Sequence, residues 1–173
     1  MIPSREECLR ILKKAGCSKA IIKHCKAVAE LACKIARYAN ADLKLVECSA
    51  LLHDIGRSIT HGTKHGTEGA KIARALGLDE RVCLIIERHL GAGICRAEAK
   101  ELGLPEKDYI PKTLEEKIVA HADNLIASNK KQKLEEVVKS YERIGRSDIA
   151  ERIIRLHKEL SEICGIDLDK INI

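Results

Sequence analysis

The chain has 173 residues, of which 45% are hydrophobic and 33% charged, and a formal net charge of +5 at pH 7. This length suits a single domain over residues 1–173 with a sizeable core, and it is too short for two ordinary domains. Charged residues interrupt every apolar run before membrane length, which argues against a transmembrane helix, and charge near the amino terminus argues against a secretion signal. We therefore expect a cytoplasmic protein.

The positive charge is spread along the chain rather than gathered in a dense basic stripe. There is no Phe or Trp and there are only three Tyr, so a platform for stacking nucleobases is hard to build. These features argue against a nucleic-acid partner and favour a small phosphorylated molecule, and a homo-oligomer is compatible with them. The eight cysteines fall mostly among apolar residues without Cys-x-x-Cys spacing, which predicts reduced core thiols.

Two helices are predicted at the start of the chain. Ser4 and Glu7 form a capping box for a helix that runs to about Lys14, and Ser18 can cap the next helix. In this second helix the apolar residues recur at steps of three and four, and His24 lies on the same stripe. His24 is therefore predicted to be buried, either as a core histidine with one hydrogen bond or as a metal ligand.

A histidine and a carboxylate stand side by side at the end of the third predicted helix. Asp42 can cap a helix over residues 43–55, whose apolar stripe leads to His53, and Asp54 follows. Gly56 is expected to stop this helix, so both side chains would reach a ligand beyond its end. Residues 56–64 contain two Gly and no apolar periodicity, which predicts a loop of the kind that often binds ligands.

Each of the next two predicted helices carries one further histidine. His65 opens a helical segment that Gly77 stops, and Asp79 caps a helix whose apolar stripe ends at His89. A short helix near residues 94–102 follows. The pattern thus places two more imidazoles at the ends of apolar helix faces.

A buried carboxylate is predicted in the helix that follows. Thr113 and Glu116 form a capping box for a helix that runs to about Ser128, and Asp123 lies on its apolar side. An unpaired ionised carboxylate there is strongly penalised, so Asp123 needs a cation, hydrogen-bond donors or a raised pKa. A metal ion and a salt bridge to Lys or Arg both meet this requirement. His121 lies about 160° away around the helix and is interpreted as structural.

The last part of the chain, from Lys130 to about residue 165, predicts two amphipathic helices with a turn at 145–147. We interpret them as packing helices or a partner surface, and His157 within them as structural or exposed. No stretch shows strand-like alternation of useful length. The predicted fold is therefore all-α, with a C-terminal helical hairpin.

An ordered pattern of four residues resembles the HD-domain superfamily of metal-dependent phosphohydrolases: His24, His53, Asp54 and Asp123. The resemblance covers about residues 18–128 and is strengthened by the tetrad His-Asp-Ile-Gly at 53–56. It implies an HD-domain helical bundle with residues of about 130–165 as a helical extension. It also implies that the four residues bind one divalent metal ion.

Two further histidines, His65 and His89, match positions that hold a second ion in some members of this superfamily. The arrangement is similar to the small binuclear HD hydrolases that cleave dinucleoside polyphosphates, and to an uncharacterised archaeal HD group. His61 competes with His65 as the loop histidine, and the sequence Gly66-x-x-Gly69-Ala70 favours His65. Mixed imidazole and carboxylate ligands suit Mn, Fe, Co, Ni or Zn better than a site built only for Mg.

The resemblance also assigns candidate roles. With two ions, Asp54 would bridge them and the pair would activate water and polarise a phosphoryl oxygen. With one ion, His65 or His89 would be free to protonate the leaving group or contact phosphate. Arg57 and Lys64 are candidate substrate-binding residues that could clamp phosphate oxygens, although each could equally be an ordinary solvated charge.

The function predicted from this pattern is hydrolysis of a phosphate ester or anhydride of a nucleotide or related small molecule by a metal-activated water. Two alternatives stay open. One is a regulatory module that binds a nucleotide without turning it over, and the other is an HD-type di-iron oxygenase, since some relatives use six similar ligands for oxygen chemistry.

Overall fold

Nine α-helices make up most of the fold in the computed structural model, which describes residues 1–173. In chain order they are α1 (Arg5–Ala15), α2 (Lys19–Ala39), α3 (Leu43–Leu52), α4 (His65–Ala75), α5 (Glu80–Glu87), α6 (Arg96–Glu101), α7 (Leu114–Asn124), α8 (Leu134–Arg143) and α9 (Ser147–Cys164). The all-α prediction is confirmed, and α8 and α9 pack together as the predicted C-terminal hairpin. None of the helices combines the length and apolarity that crossing a bilayer requires.

Helix α2 lies at the centre of the bundle and packs against α3, α7 and α9. It begins after Ser18, whose side chain accepts a hydrogen bond from the backbone N–H of Ile21, as the capping pattern predicts. One apolar core of 36 buried residues extends from Cys8 in α1 to Ile171. Helices α8 and α9 therefore bury side chains in the same core as α2.

The chain turns sharply after α3, earlier than predicted. Helix α3 ends at Leu52, and Ile55–Ser58 forms a 3-10 turn that packs against α4. Gly56 does not act as a helix stop with positive φ. It is required because a Cβ atom at this position would lie 1.9 Å from the backbone oxygen of His65. This close packing brings the end of α3 next to the first residue of α4.

The structure also differs from the prediction at the end of α7. Instead of continuing to Ser128, the helix ends at Asn124, and Ile126–Ala127 (β1) pairs antiparallel with Lys130–Lys131 (β2). Ser128 lies in the turn between them with a φ of 59°. Strands of two residues are too short to produce an alternating pattern, so the sequence carried no signal for them.

The cysteines are all free, as expected for reduced core thiols. Seven of the eight are buried, and Cys95 is half-buried. The sulfur atoms of Cys8 and Cys48 approach to 3.7 Å, so that α1 and α3 meet through a thiol contact.

Candidate metal centre

Six side chains singled out from the sequence meet in one cluster: His24, His53, Asp54, His65, His89 and Asp123. They come from five separate parts of the bundle, namely α2, the end of α3, the first residue of α4, the segment after α5, and the last turn of α7. Because no two of these parts are neighbours in a single helix, only the packing of the bundle brings the six together.

The first half of the cluster lies around Asp123. Its Oδ1 atom is 2.8 Å from His24 Nε2 and 3.4 Å from His53 Nε2. The Oδ2 atom of Asp54 is 3.6 Å from His53 Nε2 and 3.8 Å from His24 Nε2. His24 and Asp123 are partly exposed, whereas His53 is fully buried, so this half of the cluster is open to solvent on one side.

The second half lies around the other carboxylate oxygen of Asp54. Its Oδ1 atom is 3.2 Å from His65 Nε2 and 3.6 Å from His89 Nε2. These two Nε2 atoms lie 3.0 Å apart, and both imidazoles are buried. Asp54 therefore stands between the two halves, with one oxygen directed to each.

The four imidazoles share one orientation. Nδ1 of His53 donates to the backbone oxygen of Ala50 at 2.7 Å, and Nδ1 of His65 donates to that of Gly62 at 2.8 Å. The other two do the same, His89 to the backbone oxygen of Ile86 and His24 to that of Ser128. Because a carbonyl oxygen can only accept, the proton of each neutral ring lies on Nδ1 and the lone pair of Nε2 points into the cluster.

Several acceptor atoms of the cluster have no hydrogen-bond donor. His53 Nε2 and Asp54 Oδ1 are buried and have no hydrogen-bond partner within the protein. The Nε2 lone pairs of His65 and His89 face each other at 3.0 Å. Buried acceptors of this kind are costly unless a cation or proton satisfies them. Imidazole nitrogens and carboxylate oxygens with oriented lone pairs are the donor set that transition-metal ions prefer, so these residues fit a divalent cation.

The electrostatics of the cluster keep its carboxylates ionised. Burial alone would raise the pKa of Asp123, but His53 and His24 outweigh it and hold the pKa well below its usual range. The pKa of Asp54 is likewise depressed, since His53, His65 and His89 outweigh the effect of burial. Both carboxylates are therefore in the form that binds a cation at neutral pH.

The imidazoles respond differently to their surroundings. Burial lowers the pKa of His89, and its contact with Asp54 offsets this only in part. Burial also acts to lower the pKa of His53, but Asp54 and Asp123 outweigh it and raise the pKa well above its ordinary value. In both cases a neighbouring carboxylate stabilises the protonated, positively charged form of the imidazole. A bound metal cation would place positive charge beside the same carboxylate.

The two candidate phosphate-binding residues differ in their contacts with the cluster. Arg57 Nε forms an ion pair with Asp54 Oδ2 at 2.8 Å, and its Nη1 donates a hydrogen bond to the backbone oxygen of His61. Lys64 is exposed and makes no ion pair with the cluster. The side chain of His61 is also exposed, and His65 is the loop histidine that lies beside Asp54.

A cavity of about 480 Å³ opens beside the cluster, and Arg57, His65, His89 and Asp123 form one part of its wall. The C-terminal hairpin contributes the opposite part with Val137, Ser140, Tyr141, Ile149 and Arg152. Sequence reasoning missed these hairpin residues. Their amphipathic spacing indicated packing helices or a partner surface, because a helical pattern does not show which neighbour its apolar face will cover.

A second group of polar residues is separate from the cluster. His121 Nε2 and His157 Nδ1 lie 2.9 Å apart, and His157 Nε2 is 3.0 Å from Asp167 Oδ1. Burial lowers the pKa of His121 to about 3, with further contributions from His157 and Lys131. His157 is buried, and both of its ring nitrogens contact side chains of this second group.

Comparison with known proteins agrees with the sequence pattern. A sequence model of the family described as "HD domain" matches residues 21–128. An uncharacterised protein of Methanocaldococcus jannaschii is 50% identical over 165 residues, which is 91% of this chain and 97% of that protein.

A tRNA (cytidine(56)-2'-O)-methyltransferase of Thermoplasma volcanium is 52% identical over 171 residues, which is 99% of this chain but 51% of the methyltransferase. A second methyltransferase of that name, from Picrophilus torridus, is 47% identical over 98% of this chain and 50% of that protein, so it too is matched over only half of its length. The chain thus spans about half the length of these curated relatives.

Among solved structures, the HD domain of the L. monocytogenes phosphodiesterase PgpH superposes with a TM-score of 0.60 at 16% identity, covering 93% of this chain and 95% of that domain. The same domain in complex with cyclic-di-AMP gives a TM-score of 0.56 at 17% identity, covering 96% of this chain and all of that domain. At this level of identity the likeness concerns the fold alone.

Proposed function

The chain belongs to the HD-domain family, and from this premise we propose that it is a metal-dependent phosphohydrolase that cleaves a phosphate ester or anhydride of a nucleotide or related small molecule. The observation that carries the proposal is the shared orientation of the four imidazoles. Each has Nδ1 on a backbone oxygen and Nε2 directed at an ionised carboxylate. This arrangement prepares ligands for a cation before the cation binds, since the tautomer and the ring position are both fixed.

We propose two sets of ligands, with Asp54 in both. The first set is His24, His53, Asp54 Oδ2 and Asp123, and the second is His65, His89 and Asp54 Oδ1. A bound divalent ion would supply an activated water and Lewis-acid polarisation of a phosphoryl oxygen. We propose Mn, Fe, Co, Ni or Zn as the ion rather than Mg alone, because four of the six ligands are imidazoles.

The remaining steps fall to the residues of the chain. Arg57 holds Asp54 Oδ2 and lines the cavity, so a phosphoryl group bound there would meet its guanidinium as well as the cluster. Asp123 lies at the open side of the cluster, where substrate would arrive. If His65 and His89 do not hold an ion, these two histidines of the cavity lining would be available to contact phosphate or to protonate the leaving group.

A nucleotide is the proposed class of ligand. Its support is the cyclic-di-AMP complex of the L. monocytogenes domain, which has the same fold. The cavity has the volume of an ordinary small-molecule site and is bordered by both apolar and polar side chains.

The test begins with metal analysis of the protein purified without added metal. It continues with a screen of nucleotides and simple phosphate esters in the presence of Mn, Co, Fe, Ni, Zn or Mg. We expect bound transition metal and release of phosphate or of a nucleotide product.

Tight nucleotide binding without turnover would instead support a regulatory module. A mixed-valent iron pair without phosphatase activity would support an oxygenase. Either result would overturn the hydrolase proposal.

A role in tRNA modification is a second candidate, favoured by the identity of 52% with the methyltransferase of Thermoplasma volcanium. Since that relative is about twice as long as the matched region, we propose only that this chain could serve a tRNA-modifying process, not that it transfers the methyl group itself. Binding of tRNA with steep salt dependence would support this candidate against the expectation from composition. Binding that is weak at low salt would argue against it.

A further inference from the structure

Helix α2 carries most of the net positive charge of the protein. It contains five basic residues and one acidic residue, so it accounts for four of the five net positive charges of the chain. In each of the other eight helices, basic residues outnumber acidic ones by at most two. Positive charge that is spread along the sequence is therefore concentrated on one helix of the fold.

The charged residues of α2 share one face of the helix. They follow one another at steps of three and four residues: Lys19, Lys23, Lys26, Glu30, Lys34 and Arg37. At 1.5 Å per residue this row is roughly 27 Å long. Four of its five cations are exposed and form no ion pair, and Lys34 is paired only with Glu30, at 3.6 Å. The row is therefore accessible and carries little neutralising charge.

Two further cations border this row. Nδ1 of His24 donates to the backbone oxygen of Ser128, so the turn between β1 and β2 lies beside α2, and Lys130 at the end of that turn is exposed without an ion pair. Near the end of α2, Arg37 and Lys170 line a shallow depression that has no acidic side chain in its wall. The row in α2 together with Lys130 and Lys170 is called the basic face below.

The basic face lies close to the metal cluster. His24, the partly exposed ligand in α2, follows Lys23 in the chain and contacts the turn that leads to Lys130. A long anion that lies along α2 would therefore run past the segment that bears a metal ligand.

The surroundings of the basic face argue against a membrane as its partner. A helix that lies in a membrane interface turns its apolar side toward the lipid. The apolar side of α2 is instead buried in the core, where the helix packs against α3, α7 and α9. A row of cations along a helix without an exposed apolar side is typical of a surface that binds the phosphates of a nucleic acid.

Double-helical RNA suits this face better than a single strand. Single strands are bound largely through stacking of their bases on aromatic side chains, and α2 offers a single tyrosine, Tyr38. A duplex presents the phosphates on its outside, where Lys and Arg contact them without reading the bases. Tyr38 and Asn172 line the depression beside Arg37, and their hydroxyl and amide groups can bond to the ribose 2′-hydroxyls that RNA has and DNA lacks.

We infer that the basic face binds the phosphate backbone of double-helical RNA in the stems of a folded tRNA, an inference that rests on the second candidate function, the role in tRNA modification. The contacts are made to phosphates and 2′-hydroxyls. Binding is therefore independent of the base sequence of the stem and weakens steeply with salt.

The first experiment measures binding of a labelled tRNA transcript to the full chain by fluorescence anisotropy, in EDTA and at about 50 to 300 mM salt. We expect log K to fall against log salt with a slope of about −3 to −4, since the four unpaired cations of α2 neutralise about four phosphates. The double variant Lys23→Gln, Lys26→Gln should weaken binding about tenfold and make the slope shallower by about 2.

A second double variant is the matched control. Lys71→Gln, Lys100→Gln removes the same charge from exposed positions of α4 and α6, outside the basic face. It should change the Kd for tRNA about twofold or less and leave the slope unchanged. Circular dichroism and thermal unfolding show whether both double variants are folded.

The second experiment identifies the class of partner by competition against the labelled tRNA. The competitors are an RNA duplex of about 20 base pairs, a DNA duplex of the same sequence, one RNA strand alone, and phosphatidylcholine vesicles with about 30% phosphatidylserine. We expect the RNA duplex to compete at least about fivefold better than the DNA duplex and the single strand, and the vesicles not to compete.

The possible failures can be told apart. If the wild type does not bind tRNA even at low salt, the tRNA candidate fails and the basic face loses its partner. If tRNA is bound but the Lys23 and Lys26 variant matches the wild type, only the assignment of the basic face is wrong. If the DNA duplex, the single strand or the vesicles compete as well as the RNA duplex, double-helical RNA is not the partner. The hydrolase proposal is untouched by these results, because binding is measured without metal.

Discussion

The Nε atom of Arg57 forms an ion pair at 2.8 Å with the Oδ2 atom of Asp54, which lies three residues earlier in the chain. This contact fixes the carboxylate so that Oδ2 lies on the side of His53 and Oδ1 on the side of His65. A free carboxylate could rotate and lose one of the two directions. We regard Arg57 as the residue that positions Asp54 between the two halves of the cluster.

Replacing Arg57 should therefore weaken the metal centre without unfolding the protein. Arg57→Ala is expected to lower metal affinity or activity about 10- to 100-fold, the usual effect of losing a residue that orients a ligand. Arg57→Lys should restore only part of the loss, because a lysine ammonium does not reproduce the shape and donor positions of the guanidinium. Metal titration and circular dichroism of the three proteins provide the measurement. Unchanged metal affinity in Arg57→Ala would contradict the positioning role.

Asp54 itself should be indispensable for metal binding. Asp54→Ala removes both oxygens that face the histidines, so we expect loss of bound metal and of hydrolysis while the protein remains folded. Asp167→Asn is a matched control, since Asp167 also contacts a buried histidine but lies outside the cluster. Elemental analysis, a phosphate-release assay and thermal unfolding should be measured for both variants. Retained turnover in Asp54→Ala would count heavily against the hydrolase proposal.

Gly56 offers a test of how the two histidine-bearing segments are held together. Gly56→Ala would place a methyl group 1.9 Å from the backbone oxygen of His65, and backbone cannot yield as a flexible side chain can. We expect a loss of about 3 kcal/mol in the free energy of unfolding, together with weaker metal binding.

Gly62 provides the control for this substitution within the same loop. A Cβ at Gly62 would meet nothing closer than Thr60 Oγ1 at 3.7 Å. Gly62→Ala should therefore change the free energy of unfolding by less than about 0.5 kcal/mol. Denaturant unfolding of both variants decides the matter, and equal stabilities would show that close packing at Gly56 is not the constraint.

The ion pair between Glu98 and Arg152 should make stability depend on pH. Arg152 is the main cause that lowers the pKa of Glu98 from its ordinary value of 4.5 to about 2. Because the folded pKa lies below the unfolded one, the contribution is complete above about pH 5 and is lost as the pH falls toward 2.

The measurement for this pair compares denaturant unfolding at pH 6 and pH 3. Glu98→Gln should reduce the stability difference between these pH values by roughly 1 kcal/mol relative to wild type, a modest amount because the pair is partly exposed. Glu142→Gln, an exposed residue of α8 without an ion pair, should leave the difference unchanged. If Glu98→Gln shows the same difference in stability between pH 6 and pH 3 as the wild type, the ion pair makes no such contribution.

The candidate residues show what local sequence patterns can and cannot identify. His24 and Asp123 could be found because each is a polar residue on an apolar helical stripe, where its burial demands an explanation. The choice of His65 over His61 agrees with the geometry, in which only His65 lies beside Asp54. Lys64 and Arg57 could not be told apart by sequence. Both are basic residues of the stretch 56–64 that the sequence predicts as a loop, and only the tertiary structure places Arg57 beside Asp54 and Lys64 away from the cluster.

By itself, the sequence determined the helical content and most helix ends, because capping residues and the 3.6-residue period act over a few neighbouring positions. The six candidate ligands followed from the ordered His and Asp pattern that resembles HD domains. Only the tertiary structure decided where the C-terminal hairpin lies, and hence that Tyr141 and Ile149 border the cavity. It also shows why Gly56 must lack a side chain and that His157 is buried. These features depend on contacts between segments far apart in the chain, which leave no periodic trace in the sequence.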